Sequence, residues 1–403
     1  MEKRYNNNGN IYKGKKNIES KFDIFFATIL FIIIAIQNNK FSLLQAIDLG
    51  FMRLDILDIS TILCLFMLFF KAFNQRKIKV DKLLLYIFFY IIYGIIFGII
   101  NSYDTFSLFM DMRSVIYLIV SYLVFKQIEI NKYKMIKIIK ISALINSLYY
   151  IYSIVLKSSE LGVLSREVSF NLFIGTLFLG IVLSDESSIN LSDIIIIILV
   201  LISGILSQQR TVIIPDVLVI IIYVFKKICR VKNFFNTILT IICIFIIGVL
   251  VMFVLKKYNI DQIIYNRFNR DNFLGQESTL NLRVDSFKLY LSNSNLYNVV
   301  LGSGLGSTTN YYSVFGIIDV THDFEMLLAN YIFKYGIIGT VLFVIFFITV
   351  VRRSFEKDQE NSFRKNLSIT LVMILVGGFI SGLAGYTGQL FLGIVLGIVG
   401  RKV

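Results

Sequence analysis

Apolar runs recur along almost the whole of this chain, and most approach the roughly 17–25 residues that a helix needs to cross a lipid bilayer. The runs are continuous, as in Ile194 to Val200 and Val341 to Phe347. That continuity excludes the alternating pattern of a membrane β-barrel. In hydrocarbon each backbone N–H and C=O must be satisfied inside its own segment, so the chain is expected to be an all-α integral membrane protein. Its 403 residues are 56% hydrophobic with a mean hydropathy of +0.75, well above the roughly 45–50% of soluble domains.

Taken in order, the runs give about twelve predicted spans: 22–36, 54–70, 83–100, 108–125, 138–156, 170–184, 194–206, 211–225, 235–255, 324–351, 367–383 and 386–400. A net charge of +14 would point to nucleic acid in a soluble protein, but here its placement explains it and no nucleic-acid partner is expected. If the N-terminus is cytoplasmic, one side collects Lys3, Arg4, Lys13, Lys15, Lys16 and Lys21, then Lys71 to Lys82, Lys126 to Lys140, Lys226 to Lys232, Arg352 to Lys365, and Arg401 with Lys402. That is well over half of the 40 basic residues, as the positive-inside rule requires. Residues 1–21 then form a cytoplasmic basic tail, 22–255 a bundle of nine spans, 256–323 a large extracytoplasmic loop, and 324–403 three further spans with a short cytoplasmic end. The run after the tail lacks a small-residue cleavage site and is expected to be an uncleaved first span.

Smaller features are read as packing. Cys64, Cys229 and Cys243 have no metal-ligand spacing and read as small buried hydrophobes. The only proline, Pro215, lies inside a predicted span and marks a kink or a local opening. Gly378 with Gly382, and Gly393 with Gly397, are spaced for close helix approach. Asp111, Arg113, Asp216 and Lys334 fall within apolar runs and should face the bundle interior. Lys334 has an escape: if 323–333 is a short interfacial helix and the span begins near Gly336, its amine reaches the surface.

The one long polar break, 256–321, spans about 66 residues and ends on His322, the only histidine. Tyr265 to Arg270 and Leu282 to Leu291 have the spacing of short amphipathic helices on the membrane face. Gly302 to Gly306 is expected to be a flexible turn, or else a backbone cradle beside an anionic headgroup. Arg210, in a very short outer turn, can bind phosphate bidentately or anchor the helix end by snorkelling to lipid. Arg283 heads one amphipathic stretch, while Arg267 and Arg270 lie three apart and share a side if helical. These arginines suit an anion or are simply solvated. An imidazole is a suitable general base for a sugar hydroxyl when a neighbour orients it, and Asp323 and Glu325 follow His322 directly; a lone histidine can equally be incidental.

The order of these features (Arg210-Thr in a tight outer turn, Arg283 and Gly302-x-Gly304 in a long loop, His322, then Tyr335-Gly-Ile-Ile-Gly339) resembles the O-antigen polymerase and O-antigen ligase family. Recognisable motifs cover roughly residues 195 to 350. The resemblance implies a GT-C-like, inverting, metal-independent membrane glycosyltransferase without a cofactor, on the outer face of the bacterial inner membrane. Such enzymes join a glycan from an undecaprenyl-diphosphate carrier to an acceptor hydroxyl. Carried over by position, Arg210 and Arg283 are diphosphate ligands, with Arg267 and Arg270 as further candidates. His322 is the base, with Asp323 or Glu325 orienting or replacing it. Asp323 and Met326 depart from the ligase form of the histidine motif. The leading expectation is therefore a surface-polysaccharide polymerase, for lipopolysaccharide or capsule, acting on a lipid-linked repeat, with a chain-length regulator as a further candidate partner. A ligase acting on lipid A core and, in a different class, a lipid-linked oligosaccharide flippase are the alternatives.

Overall fold

The structure, a computed structural model, describes residues 9–36, 47–48, 53–54, 56–75, 80–101, 103–161, 173–184, 190–207, 210–228, 279–312, 318–321, 323–324, 326–355, 361–380 and 386–401. Thirteen helices account for most of these residues: α1 (Gly9–Ile36), α2 (Ile56–Gln75), α3 (Lys82–Ile100), α4 (Thr105–Gln127), α5 (Lys132–Leu161), α6 (Phe173–Ser184), α7 (Leu191–Ser207), α8 (Arg210–Ile228), α9 (Thr279–Asn293), α10 (Leu296–Leu301), α11 (Leu327–Arg353), α12 (Asn361–Ile380) and α13 (Tyr386–Val399). The all-α expectation needs one amendment. Two small antiparallel pairs are present, β1 (Ile47–Asp48) with β2 (Arg53–Leu54), and β3 (Thr309–Tyr312) with β4 (Ile318–Thr321). The predicted run 235–255 lies outside the described residues.

By length and composition α2, α3, α4 and α11 can each cross a membrane, and α6, α7 and stretches of α8 and α13 are shorter apolar helices. Their surfaces are those of a membrane protein. On α2, Phe66, Phe69 and Phe73 are 69%, 77% and 84% exposed while Leu57, Cys64 and Met67 are buried. A helix that turns its largest hydrophobes outward at three and four spacing would be insoluble in water but is solvated by lipid tails.

Helix ends are set by local chemistry. The Asp104 carboxylate caps α4, accepting from the Ser107 backbone N–H and hydroxyl at 3.0 Å each, so the helix starts ahead of its apolar run. α1 begins at Gly9, inside the stretch expected to be a tail. The glycine spacing in α13 works as anticipated. A Cβ on Gly397 would lie 2.7 Å from Phe125 Cβ and from the Tyr122 carbonyl oxygen, and one on Gly393 would overlap Ser121 and Leu118. α13 therefore seats directly on the α4 backbone. Pro215 in α8 meets Gly377 of α12, where a Cβ would come within 2.5 Å of the ring. Gly378 has no described side-chain environment, and Gly382 lies outside the described residues.

Basic helix ends gather at one end of the bundle. Asp81, before α3, accepts from Lys126 at the end of α4 and Arg353 at the end of α11, both at 2.6 Å, and from the Tyr122 hydroxyl. Burial by itself would raise the Asp81 pKa, but the hydrogen bonds from Lys126, Tyr122 and Arg353 hold it below the ordinary carboxylate value. Lys71 pairs with Asp23 at 2.7 Å, and Arg401 donates to the Phe125 carbonyl at 2.8 Å. Burial also lowers the Arg401 guanidinium to about 10. The opposite end carries α9, α10 and the β3–β4 hairpin.

Candidate functional site

Helix α9 is the amphipathic stretch anticipated at 282–291. Ser286, Phe287 and Tyr290 lie at the spacing of one helical face, and that face docks on the head of α11. Tyr290 and Phe324 each meet the Phe333 ring edge-on, at 5.2 and 5.5 Å between centroids, with Phe287 packed alongside. Such edge-to-face aromatic pairs contribute roughly 0.5–1.5 kcal/mol each beyond their buried area. Ser286 Oγ accepts from the Tyr312 N–H at 2.9 Å and thereby ties β3 to α9. Arg283 stands one turn before Ser286 and Phe287 and is half-buried. Nearby, burial raises the Tyr103 phenol, and the Tyr290 hydroxyl adds to the effect.

Between α10 and β3 the chain makes a glycine turn that is pinned rather than flexible. Gly302, Gly304 and Gly306 have φ of 95°, 85° and 83°, a region that residues with a Cβ seldom occupy. The Ser303 N–H donates to the Phe333 carbonyl at 2.8 Å, the Gly304 N–H to Lys334 at 3.2 Å, the Leu305 N–H to Gly94 at 3.3 Å, and the Gly306 N–H to Asp111 Oδ2 at 2.6 Å. The cradle expectation is therefore corrected. These amides are used by acceptors of the protein itself, so they do not face a headgroup.

Gly336 answers Gly302 from the other side. Its φ of 65° breaks α11, and a Cβ there would overlap Gly302 N and the Val300 carbonyl. A break near Gly336 was anticipated, but the predicted escape of Lys334 is overturned. Lys334 is 3% exposed, and its ammonium donates to Asp111 Oδ2 at 2.5 Å and to the Ser307 carbonyl at 3.0 Å. In an apolar bundle a partnered amine is held inside more readily than it is drawn to the surface. The interior placement of Asp111, Arg113 and Asp216 agrees with expectation: all are buried, Arg113 lies 3.5 Å from Asp58, and Asp216 accepts from Thr176 at 2.5 Å.

A small cleft of about 10 Å³ opens above this pair, lined by Asp111, Lys334, Asp323, Asn330, Tyr331 and Gln389 among others. Tyr331 donates to Gln389 Oε1 at 3.1 Å, and Asn330 Oδ1 accepts from the Phe324 N–H at 3.2 Å. At its mouth Asp323 is exposed, its N–H and carbonyl both bonded to the Thr321 hydroxyl at the end of β4. The volume suits about one water.

The expected site residues are distributed unevenly. Asp323 reaches the cleft, and Arg283 sits on the helix that docks beside it. Arg210 is the first residue of α8, with its side chain outside the described residues, as are His322, Glu325, Arg267 and Arg270. Sequence reasoning missed the Asp111–Lys334 pair, Asn330 and Gln389. Two opposite charges in separate apolar runs were the available signal, but nothing in linear spacing joins positions 223 residues apart. Among the described residues no three His, Cys, Asp or Glu side chains gather as a metal site. A scan against protein-family models finds no match, and a search of curated proteins also finds none.

Proposed function

We propose that this protein is a bacterial inner-membrane glycosyltransferase that polymerises a surface polysaccharide, with its twelve spans placing residues 256–323 on the extracytoplasmic face. The observation that carries the reading is that the Arg283 helix is tied to the hairpin through Ser286 and Tyr312, and that this hairpin runs into His322 and Asp323, of which Asp323 lines a polar cleft at the end of the bundle away from the basic helix ends.

In this reading Arg210 and Arg283 hold the diphosphate of an undecaprenyl-linked glycan. The acceptor is a hydroxyl of a second lipid-linked repeat. As its oxygen bonds to the anomeric carbon, its proton passes to His322, oriented by Asp323 or Glu325, and the bond from that carbon to the diphosphate oxygen breaks. Attack opposite the leaving group inverts the configuration. Negative charge grows on the departing diphosphate, and prepositioned guanidinium groups stabilise it without a metal ion.

Arg283→Ala and His322→Ala proteins, present at normal level in the membrane, should each lose polymer formation, by roughly 10²–10³ in rate for the arginine. Full-length polymer from both would overturn the assignment. Deleting the gene distinguishes the acceptor: surface glycan one repeat long marks a polymerase, whereas accumulated long carrier-linked chains mark a ligase.

A further inference from the structure

We infer that Asp111 and Lys334 are positioning residues, a two-sided clamp on the glycine turn that sets the placement of the hairpin leading into His322 and Asp323. The link to turnover rests on the glycosyltransferase reading above, whereas the clamp itself does not.

A simple buried ion pair joins two helices and is indifferent to which helix carries which sign. This pair is not symmetric. The Asp111 carboxylate on α4 takes the Gly306 N–H as well as the ammonium, and the Lys334 ammonium on α11 gives to the Ser307 carbonyl as well as to the carboxylate. Each charge thus meets the backbone group of complementary polarity on adjacent residues of the turn. The main chain of α11 holds the same turn, through Ser303 to Phe333 and Gly304 to Lys334, and the Tyr90 hydroxyl donates to the Leu301 carbonyl at 3.0 Å. Gly306 leads within three residues into β3, whose partner β4 ends at Thr321. Movement of the turn is therefore movement of the hairpin root.

Unpaired charge in this environment is costly, and the two bonded atoms of the turn would have to find new partners if it left. The clamp accordingly favours one placement of the turn. Asp323 lines the same cleft as the pair, so loosening the turn enlarges the spread of positions open to the reacting groups, and small misplacements of such groups cost rate steeply.

The asymmetry supplies the test. In the Asp111→Lys/Lys334→Asp double variant the ion pair can re-form between the helices, but an ammonium now faces the Gly306 N–H and a carboxylate faces the Ser307 carbonyl. Amide hydrogen exchange would be followed over 302–321 in the purified full-length protein, alongside membrane level, monodispersity and polymer formation with its kcat and KM. The Asp111→Asn/Lys334→Gln variant, which keeps an acceptor for Gly306 and a donor for Ser307 without burying a charge, serves as the folded control.

The clamp predicts a charge-reversed protein with exchange over 302–321 at least tenfold faster, exchange elsewhere unchanged, and kcat reduced by tenfold or more with KM little altered. The neutral control should retain slow exchange. Slow exchange in the charge-reversed protein would overturn the clamp and leave an ordinary helix–helix pair, as would fast exchange in both variants, which would make the pairing irrelevant to the turn. If the charge-reversed protein does not accumulate, the neutral control against Asp111→Leu/Lys334→Met decides, since only the latter removes both the Gly306 acceptor and the Ser307 donor: equal exchange overturns the clamp. Fast exchange with undiminished polymer formation overturns the link to turnover. If the wild-type protein makes no polymer, the glycosyltransferase reading fails while the exchange result still decides the clamp.

Discussion

At one end of the bundle Asp81 gathers Lys126, Arg353 and Tyr122, and at the other Asp111 gathers Lys334 and the Gly306 backbone. Both are carboxylates that receive several donors, yet they hold different things. Asp81 joins the ends of α4 and α11 to the start of α3, where Arg353 retains partial contact with solvent. Asp111 and Lys334, with side chains 4% and 3% exposed, join a turn to the helices at the buried floor of a cleft with room for about one water. The first cluster can exchange its partners for water if it is broken. In the second a lone charge has no comparable substitute, so removing one member is felt in both stability and geometry.

The sharpest separation of the two ends is Lys334→Met. It should cost about 3–5 kcal/mol because the Asp111 charge remains buried alone, with Asp111→Asn/Lys334→Met recovering most of that loss in thermal unfolding of the detergent-solubilised protein. A cost for Lys334→Met no larger than that of Asp81→Asn would erase the distinction. Next comes Arg283→Ala, whose expected loss of roughly 10²–10³ in polymer formation corresponds to about 2.7–4 kcal/mol, with the melting temperature nearly unchanged. A parallel fall in stability would assign Arg283 to the scaffold instead.

Gly397→Val tests the seam between α4 and α13, beside Tyr122 and Lys126 of the first cluster and away from the second. Its side chain has no room against Phe125 and Tyr122, so the loss should be about 1–3 kcal/mol, read in the same unfolding assay and with slow exchange over 302–321 preserved. The smallest effect is pH-dependent. Because the folded pKa of Asp81 is lowered, its stabilisation is complete above the ordinary carboxylate value near about 4 and is lost as pH falls through the lower folded value. Asp81→Asn should therefore flatten the dependence of melting temperature on pH at acid pH, and an unchanged slope would show that Asp81 contributes little.

Hydropathy made the helices legible because each apolar run must satisfy its own backbone in lipid. The run predicted at 83–100 is α3, Lys82–Ile100, and the one at 108–125 is α4, Thr105–Gln127; the added residues in α4 follow from the Asp104 cap, which hydropathy does not register. Spacing likewise exposed α9. The hairpin was missed, since Thr309 to Tyr312 and Ile318 to Thr321 are individually too short to outweigh a loop reading. The glycine turn was half-read. Its residues were recognised, but whether its amides face a ligand or the protein depends on Phe333, Lys334, Gly94 and Asp111, which tertiary packing alone brings there. The break at Gly336 has the same origin, because its partner is Gly302 on another element.

The seam between α4 and α13 has a consequence for how the protein is made. Ser121 Oγ lies 3.2 Å from the Leu390 carbonyl, across 269 residues of sequence, and the groove that receives Gly393 and Gly397 is formed by α4 itself. During vectorial synthesis α4 enters the membrane long before its partner exists. Until α13 is inserted, lipid tails or the insertion machinery must occupy that groove, and a ribosome stalled anywhere between the two helices leaves a protein whose centre is still open to the bilayer.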